Sequence, residues 1–169
     1  MKRIYLLRHA KSDWDAEYET DHDRPLNKRG RGAAAEIGRF LTTIQQAPEL
    51  VVTSSAVRAR DTVDLAMGAG AWECPVEVTR DLYATSPSSV VHLVQTYVGS
   101  HDRLLLVGHE PTWSELASLL IGGGHLKMPT AAVARIDFDV DGWAEVDAHA
   151  GTLAWIMTPK LLKKMDFEA

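Results

Sequence analysis

Short apolar runs alternate along this chain with longer stretches in which apolar residues recur every three or four positions, a pattern that predicts strands interleaved with helices. Lys2 to Leu7 reads as a buried strand. Lys28 to Thr43 places Ala, Ile, Phe and Leu at helical spacing behind Asn27, a residue suited to capping a helix. Leu50 to Thr53 is the next strand, Val57 to Met67 a second helix closed by "GAGA", and Val76 to Val78 a short strand. Pro87 opens a helix running to about Val98. The run "RLLLV", Arg103 to Val107, has the composition of a strand covered on both faces. Trp113 to Ile121 is helical and ends at "GGG". Beyond Pro129, Ala132 to Asp139 and Trp143 to Ala148 are separated by "DVDG" and read as a hairpin. Leu153 to Met157 adds an edge strand before a basic C-terminal helix.

This order defines an α/β fold: a three-layer α/β/α sandwich with a mainly parallel central sheet and an antiparallel portion near the C-terminus. A chain of 169 residues, 46% of them hydrophobic, fits one domain spanning 1–169 and can bury a core without disulfides or a metal. Cys74 is the one cysteine and has no partner for an internal disulfide, which suits a reducing compartment, so we expect a cytoplasmic protein. "MKRIYLLRHA" has a four-residue apolar run between charges, too short for a signal-peptide core or a membrane span. With 18 Lys and Arg against 23 Asp and Glu, the net charge is −5, which argues against a non-specific nucleic-acid partner, and the short apolar run at the start leads us to expect no membrane partner. Any anion must be held by local positive groups.

Such groups do gather. Ligands of open α/β sheets bind beyond the carboxyl ends of the strands. By that rule "RHAKSDW", "TSSAVRARDT" and "VGHEPTW" meet at one sheet edge and bring Arg8, His9, Arg58 and His109 together. Two arginines and two histidines there make an anion pocket. Phosphate fits best, because guanidinium forks match its oxygens and the helices starting near Val57 or Thr112 aim backbone N–H groups at the same place. Neighbouring arginines favour a neutral imidazole, and a neutral imidazole is a nucleophile.

Those three segments, with "DHDRPLNKRGR", "DLYATSP" and "MPTAAVARIDF", resemble the histidine phosphatase superfamily, also called phosphoglycerate-mutase-like, and within it the SixA-type phosphohistidine phosphatases. The resemblance covers most of the chain. It implies that His9 attacks phosphorus, that Arg8 and Arg58 hold the equatorial oxygens, and that His109 donates to those oxygens as charge shifts. Water then hydrolyses the phosphohistidine, with no cofactor and no metal. Two departures stand out. The larger mutases usually carry asparagine where this chain has Asp15, and their inserted acidic residue has no counterpart in "RDLYATSPSS" beyond Asp81. Asp13, Asp15, Asp81 and Glu110 are the carboxyls available as a general acid. A site without a strong acid suits phosphohistidine, whose imidazole leaves as a neutral ring, better than an alkyl phosphate.

Plainer readings exist for the remaining residues. Ser54 and Ser55 lack a G-x-S-x-G elbow and read as residues at the start of a helix. His22, His92, His101, His125 and His149 lack metal-ligand spacing and count as surface or core. Asp23 and Arg24 brace a loop, Arg29, Arg31 and Arg60 face solvent, and "GGGH" is a flexible turn. Trp14 and Trp113 sit beside the pocket, where aromatic residues more often pack than bind. The expected substrate is a phosphoprotein such as a histidine phosphotransfer domain. The alternatives are a small phosphate ester or anhydride, or a phosphate-binding module without turnover.

Overall fold

In the computed structural model, which describes residues 1–97 and 99–165, the interleaved pattern becomes six strands and five helices. The strands are β1 (Lys2–Arg8), β2 (Leu50–Ser54), β3 (Val76–Thr79), β4 (Arg103–Gly108), β5 (Val133–Phe138) and β6 (Thr152–Met157). The helices are α1 (Lys28–Thr43), α2 (Val57–Gly70), α3 (Pro87–Gln95), α4 (Thr112–Leu120) and the single turn α5 (Pro159–Leu162). The strands form one sheet in the order β3-β2-β4-β1-β5-β6. β1, β2, β3 and β4 pair in parallel, whereas β5 runs antiparallel to both β1 and β6. The expected fold class is therefore borne out.

Side chains alternate across a strand, so an unbroken apolar run must serve two cores at once. Ile4 and Leu6 of β1, with Leu104 and Leu106 of β4, face a cluster built with Val90, Val94, Trp113, Leu116 and Leu120 of α3 and α4. Tyr5 and Leu7, with Leu105 and Val107, face the opposite cluster under Ile37, Leu41, Val63 and Ala66 of α1 and α2. α1 starts as the sequence predicts, with Asn27 Oδ1 accepting from the Gly30 N–H at 2.8 Å. Pro87 opens α3 behind Ser86, whose hydroxyl caps the Ser89 N–H. The expected end of α3 at Val98 falls outside the described residues, as do 166–169 of the expected C-terminal helix.

One expected strand is corrected. Trp143–Glu145 is a 3-10 turn, and no β-ladder includes residues 143–148. Trp143 and Val146 are three positions apart, so a tight turn buries both against the α3 and α4 side of the sheet. Gln95 Nε2 holds this turn by donating to the Val146 carbonyl at 2.8 Å, and β6 takes the antiparallel place beside β5.

α1 and α2 cross closely because Gly38 lacks a side chain. A Cβ there would lie 2.0 Å from the Ala66 carbonyl oxygen, whereas one at Gly32 would meet nothing within 4 Å. Gly38→Ala is expected to cost about 1–3 kcal/mol through overpacking. Gly32→Ala should gain about 0.5–1 kcal/mol from helix propensity alone. Chemical denaturation of the two variants checks the contrast.

Candidate active site

The parallel strands β1, β2 and β4 end at the same sheet edge. Arg8 pairs with Gly108, and the His9 N–H continues the ladder by donating to the Gly108 carbonyl at 3.0 Å. His9 and His109 therefore leave neighbouring strands side by side, with ring centroids 5.1 Å apart. Gly108 has to be glycine: the fully buried Trp113 ring lies over it, and a Cβ would sit 2.2 Å from that ring. Trp113 thus packs, while Trp14, 68% exposed, lies at the rim with the Arg24 guanidinium 3.5 Å from its ring centre.

α2 supplies Arg58 from its first turn, buried to 5% exposure. One turn later Thr62 donates to the Arg58 carbonyl at 2.7 Å and accepts the Ala10 N–H at 2.9 Å. This hydroxyl fastens the loop after His9 to the helix bearing Arg58. Arg8 is held by donation from Nη1 to the Met128 carbonyl at 3.0 Å. Arg8, His9, Arg58 and His109 line one cleft of about 460 Å³.

The protonation states follow from the partners. His9 Nδ1 lies 2.7 Å from the Ala10 carbonyl, which only accepts, so Nδ1 carries the hydrogen and Nε2 keeps the lone pair. Burial, reinforced by His109, Arg58 and Arg8, pushes the His9 pKa down to about 3 against the opposing pull of that hydrogen bond. Burial also dominates at His109, where Arg58, Arg8 and His22 outweigh Asp21 and the pKa falls to about 4. Both rings are neutral at neutral pH. Arg8 Nε, Arg58 Nε and His109 Nδ1 are buried without a hydrogen-bond partner, so three of the four cleft residues carry unused polar capacity.

Asp21, which the sequence reading passed over, organises one wall. Its carboxylate accepts from Arg58 Nη2 at 3.0 Å, from Arg24 Nη2 at 2.9 Å and from the Tyr83 hydroxyl at 3.2 Å. Its carbonyl takes Arg58 Nη1 at 2.5 Å. Burial alone would raise the Asp21 pKa, but the hydrogen bonds and charges of Arg24 and Arg58 outweigh it and hold the carboxyl below the usual range. Arg24 does brace its loop, through Asp21 and the Ser12 hydroxyl, yet it also lines the cleft, as do Lys11 and the exposed Arg29. The only trace of this wall in the sequence is the i, i+3 spacing of Asp21 and Arg24. Ser54 and Ser55 bond the rings of His109 and His22, so both belong to the site's surroundings rather than only to a helix start.

The candidate acids separate. Asp15 is exposed and does not line the cleft, so no carboxylate from that position faces the anion pocket. Asp81 is exposed and lines a neighbouring cleft with Tyr83 and Thr85. Glu110 does line the pocket, but its oxygens are taken by the Ser114 N–H at 2.9 Å and the Ser114 hydroxyl at 2.6 Å. Among the described residues no group of three or more His, Cys, Asp or Glu side chains is placed to hold a metal.

The fold and site match known proteins. The sequence profile of the histidine phosphatase superfamily, branch 1, matches residues 4–86. The structure of the protein histidine phosphatase SixA complexed with tungstate superposes at TM-score 0.75, with 25% identity, over 95% of this chain and 99% of that one. A protein of Agrobacterium tumefaciens, provisionally assigned as the phosphohistidine phosphatase SixA, superposes at TM-score 0.78, with 26% identity, over 94% and 98% of the two chains. An uncharacterized chloroplastic protein of Arabidopsis thaliana is 31% identical over 91% of this chain and 74% of its own length. The chain belongs to the histidine phosphatase superfamily, in its SixA-type branch, and is a phosphatase by that membership. No helix among the described residues is long and apolar enough to cross a membrane.

The neutral histidines predict a pH dependence of stability. Unfolded, both rings titrate near 6.5, whereas in the folded protein they resist protonation down to about 3 for His9 and about 4 for His109. In that window the unfolded chain binds more protons, so this stability is fully present above the unfolded value and is lost as pH falls toward the folded ones. The limiting slope for two protons is about 2.7 kcal/mol per pH unit. A His9→Gln/His109→Gln variant should show a shallower decline in denaturation midpoint between pH 7 and pH 4. An unchanged decline would mean that the rings are not held neutral.

Proposed function

We propose that this phosphatase acts through a phosphoenzyme on His9 and that its substrate is phosphohistidine in a protein, such as a histidine phosphotransfer domain. The observation that carries the reading is the fixed tautomer of His9, which leaves Nε2 as an unprotonated nucleophile beside Arg8, Arg58 and His109. The structure of a SixA relative is complexed with tungstate, a tetrahedral oxyanion like phosphate, which supports an oxyanion as the ligand of this fold.

In the first step the Nε2 lone pair forms a bond to phosphorus while the bond from phosphorus to the substrate imidazole breaks. Arg8 and Arg58 neutralise the equatorial oxygens, and His109 donates to them as charge moves. The phosphorylated His9 ring gains positive charge, which the Ala10 carbonyl stabilises through Nδ1–H. Water then attacks phosphorus, the bond to Nε2 breaks, and orthophosphate leaves with His9 restored. The charge stabilisation comes from side chains, so the reaction needs no metal.

The substrate class follows from the leaving group. Asp13, Asp15 and Asp81 do not line the cleft, and Glu110, which does, accepts two hydrogen bonds from Ser114. A phosphohistidine ring protonated at its other nitrogen departs neutral and needs no acid, whereas an alkoxide does. A cytoplasmic location fits such a substrate and the unpaired Cys74.

Mixing the protein with a labelled phosphohistidine donor should move label transiently to His9 as an acid-labile, base-stable adduct. His9→Ala should lower turnover more than about 1,000-fold with the fold intact. Persistence of turnover in that variant would reject the mechanism. Chelators should leave the rate unchanged. Phosphohistidine protein should be hydrolysed about 100-fold or more faster than an alkyl phosphomonoester. Equal rates would assign the site to small esters instead, and binding of phosphate with no adduct would mark a module without turnover.

A further inference from the structure

His109 lines the cleft, and of its two ring nitrogens one has a partner in the structure and the other has none. Nε2 lies 2.8 Å from the hydroxyl of Ser54, a fully buried residue at the end of β2, whereas Nδ1 is buried without a partner. Burial keeps the ring neutral at neutral pH, so it carries one N–H and one lone pair. Ser54 Oγ accepts the Ala56 N–H at 3.3 Å and has a single hydrogen to give.

Two proton arrangements are available. If Nε2 holds the hydrogen, Ser54 accepts twice, its own O–H has no acceptor among the described residues, and Nδ1 presents a lone pair that would repel a phosphoryl oxygen. If Ser54 donates to Nε2, its oxygen accepts from Ala56, its hydrogen is used, and Nδ1 becomes an N–H that can donate. The second arrangement satisfies every group around Ser54 and makes the unpartnered Nδ1 the donor that the proposed role of His109 requires.

We infer that Ser54 is a positioning residue that fixes His109 as its Nδ1–H tautomer, the form able to donate to the transferring phosphoryl group. The inference rests on the proposed role of His109 as that donor. Ser54 touches no substrate and acts only through the ring. Its position is secured by the backbone: Ser54 closes β2 where Thr53 pairs with Val107, two residues before His109 on β4.

The test reads the tautomer itself. Nitrogen-15 NMR of the full chain, with and without inorganic phosphate, should show His109 Nδ1 protonated and Nε2 unprotonated. Protonated Nε2 in the phosphate-bound protein overturns the inference. Ser54→Ala should shift the signals toward the other tautomer and lower kcat on a phosphohistidine protein about ten- to a hundred-fold, with a smaller change in KM. Ser54→Thr, which keeps the hydroxyl, should restore both the spectrum and kcat. An unchanged kcat in Ser54→Ala also overturns it, and should that variant fail to fold, the wild-type spectrum still decides. Absence of a phosphoenzyme in the wild type would instead count against the proposed function, because the tautomer is read in unreacted protein.

Discussion

The parallel pairing of β1 with β4 is the constraint on which the site depends. The ladder sets Arg8 opposite Gly108, so the residue that follows each strand is a histidine, and the two rings lie side by side. Side chains alternate along a strand, so a slip of one residue would turn Leu6 and Leu106 out of one core and separate His9 from His109. Both cores hold the register, since each strand feeds apolar residues to each face. The catalytic geometry thereby inherits the stability of the best-packed part of the molecule.

Concentrating cations beside two imidazoles has an electrostatic cost, and the structure meets it in two ways. The imidazoles stay neutral, chiefly through burial, so they add no charge to Arg8 and Arg58. Asp21 supplies the counter-charge, bonded at once to Arg58 and Arg24 and reached by Tyr83. A carboxylate in an anion cleft would ordinarily oppose phosphate binding, but here its charge is spent on guanidinium groups that it also holds in place. The same neighbours keep it ionised, which removes it from consideration as an acid.

Most of the fold was legible in the sequence because the apolar periods of β1, β4, α1 and α4 each bury the face they imply. His9, His109 and Arg58 were legible because they directly follow, or open, such elements at strand ends that a parallel sheet brings together. The segment 143–148 misled because Trp143 and Val146 satisfy an i, i+3 turn as well as they do an extended run, and only the packing against Gln95 decides between them. The roles of Asp21 and Ser54 were hidden for another reason. They depend on pairings between residues far apart in sequence, such as Asp21 with Arg58, and no local period records those pairings. Polar residues in loops between elements look alike until their partners are known.

The placement of the carboxyls bears on specificity more than any residue touching phosphate does. Arginines and histidines around a phosphoryl group stabilise the transfer from any leaving group, so they accelerate without selecting. Selection falls to the proton that the leaving group requires. Of the candidate acids only Glu110 lines the cleft, and both its oxygens accept from Ser114, whose hydroxyl in turn accepts the Met128 N–H while the Met128 carbonyl holds Arg8. Moving Glu110 away from Ser114 would therefore loosen the support of Arg8, the arginine that the proposed mechanism assigns to the phosphoryl oxygens. Under the proposed function, the network that positions Arg8 goes with leaving groups that bring their own proton, and a protonated imidazole is such a group.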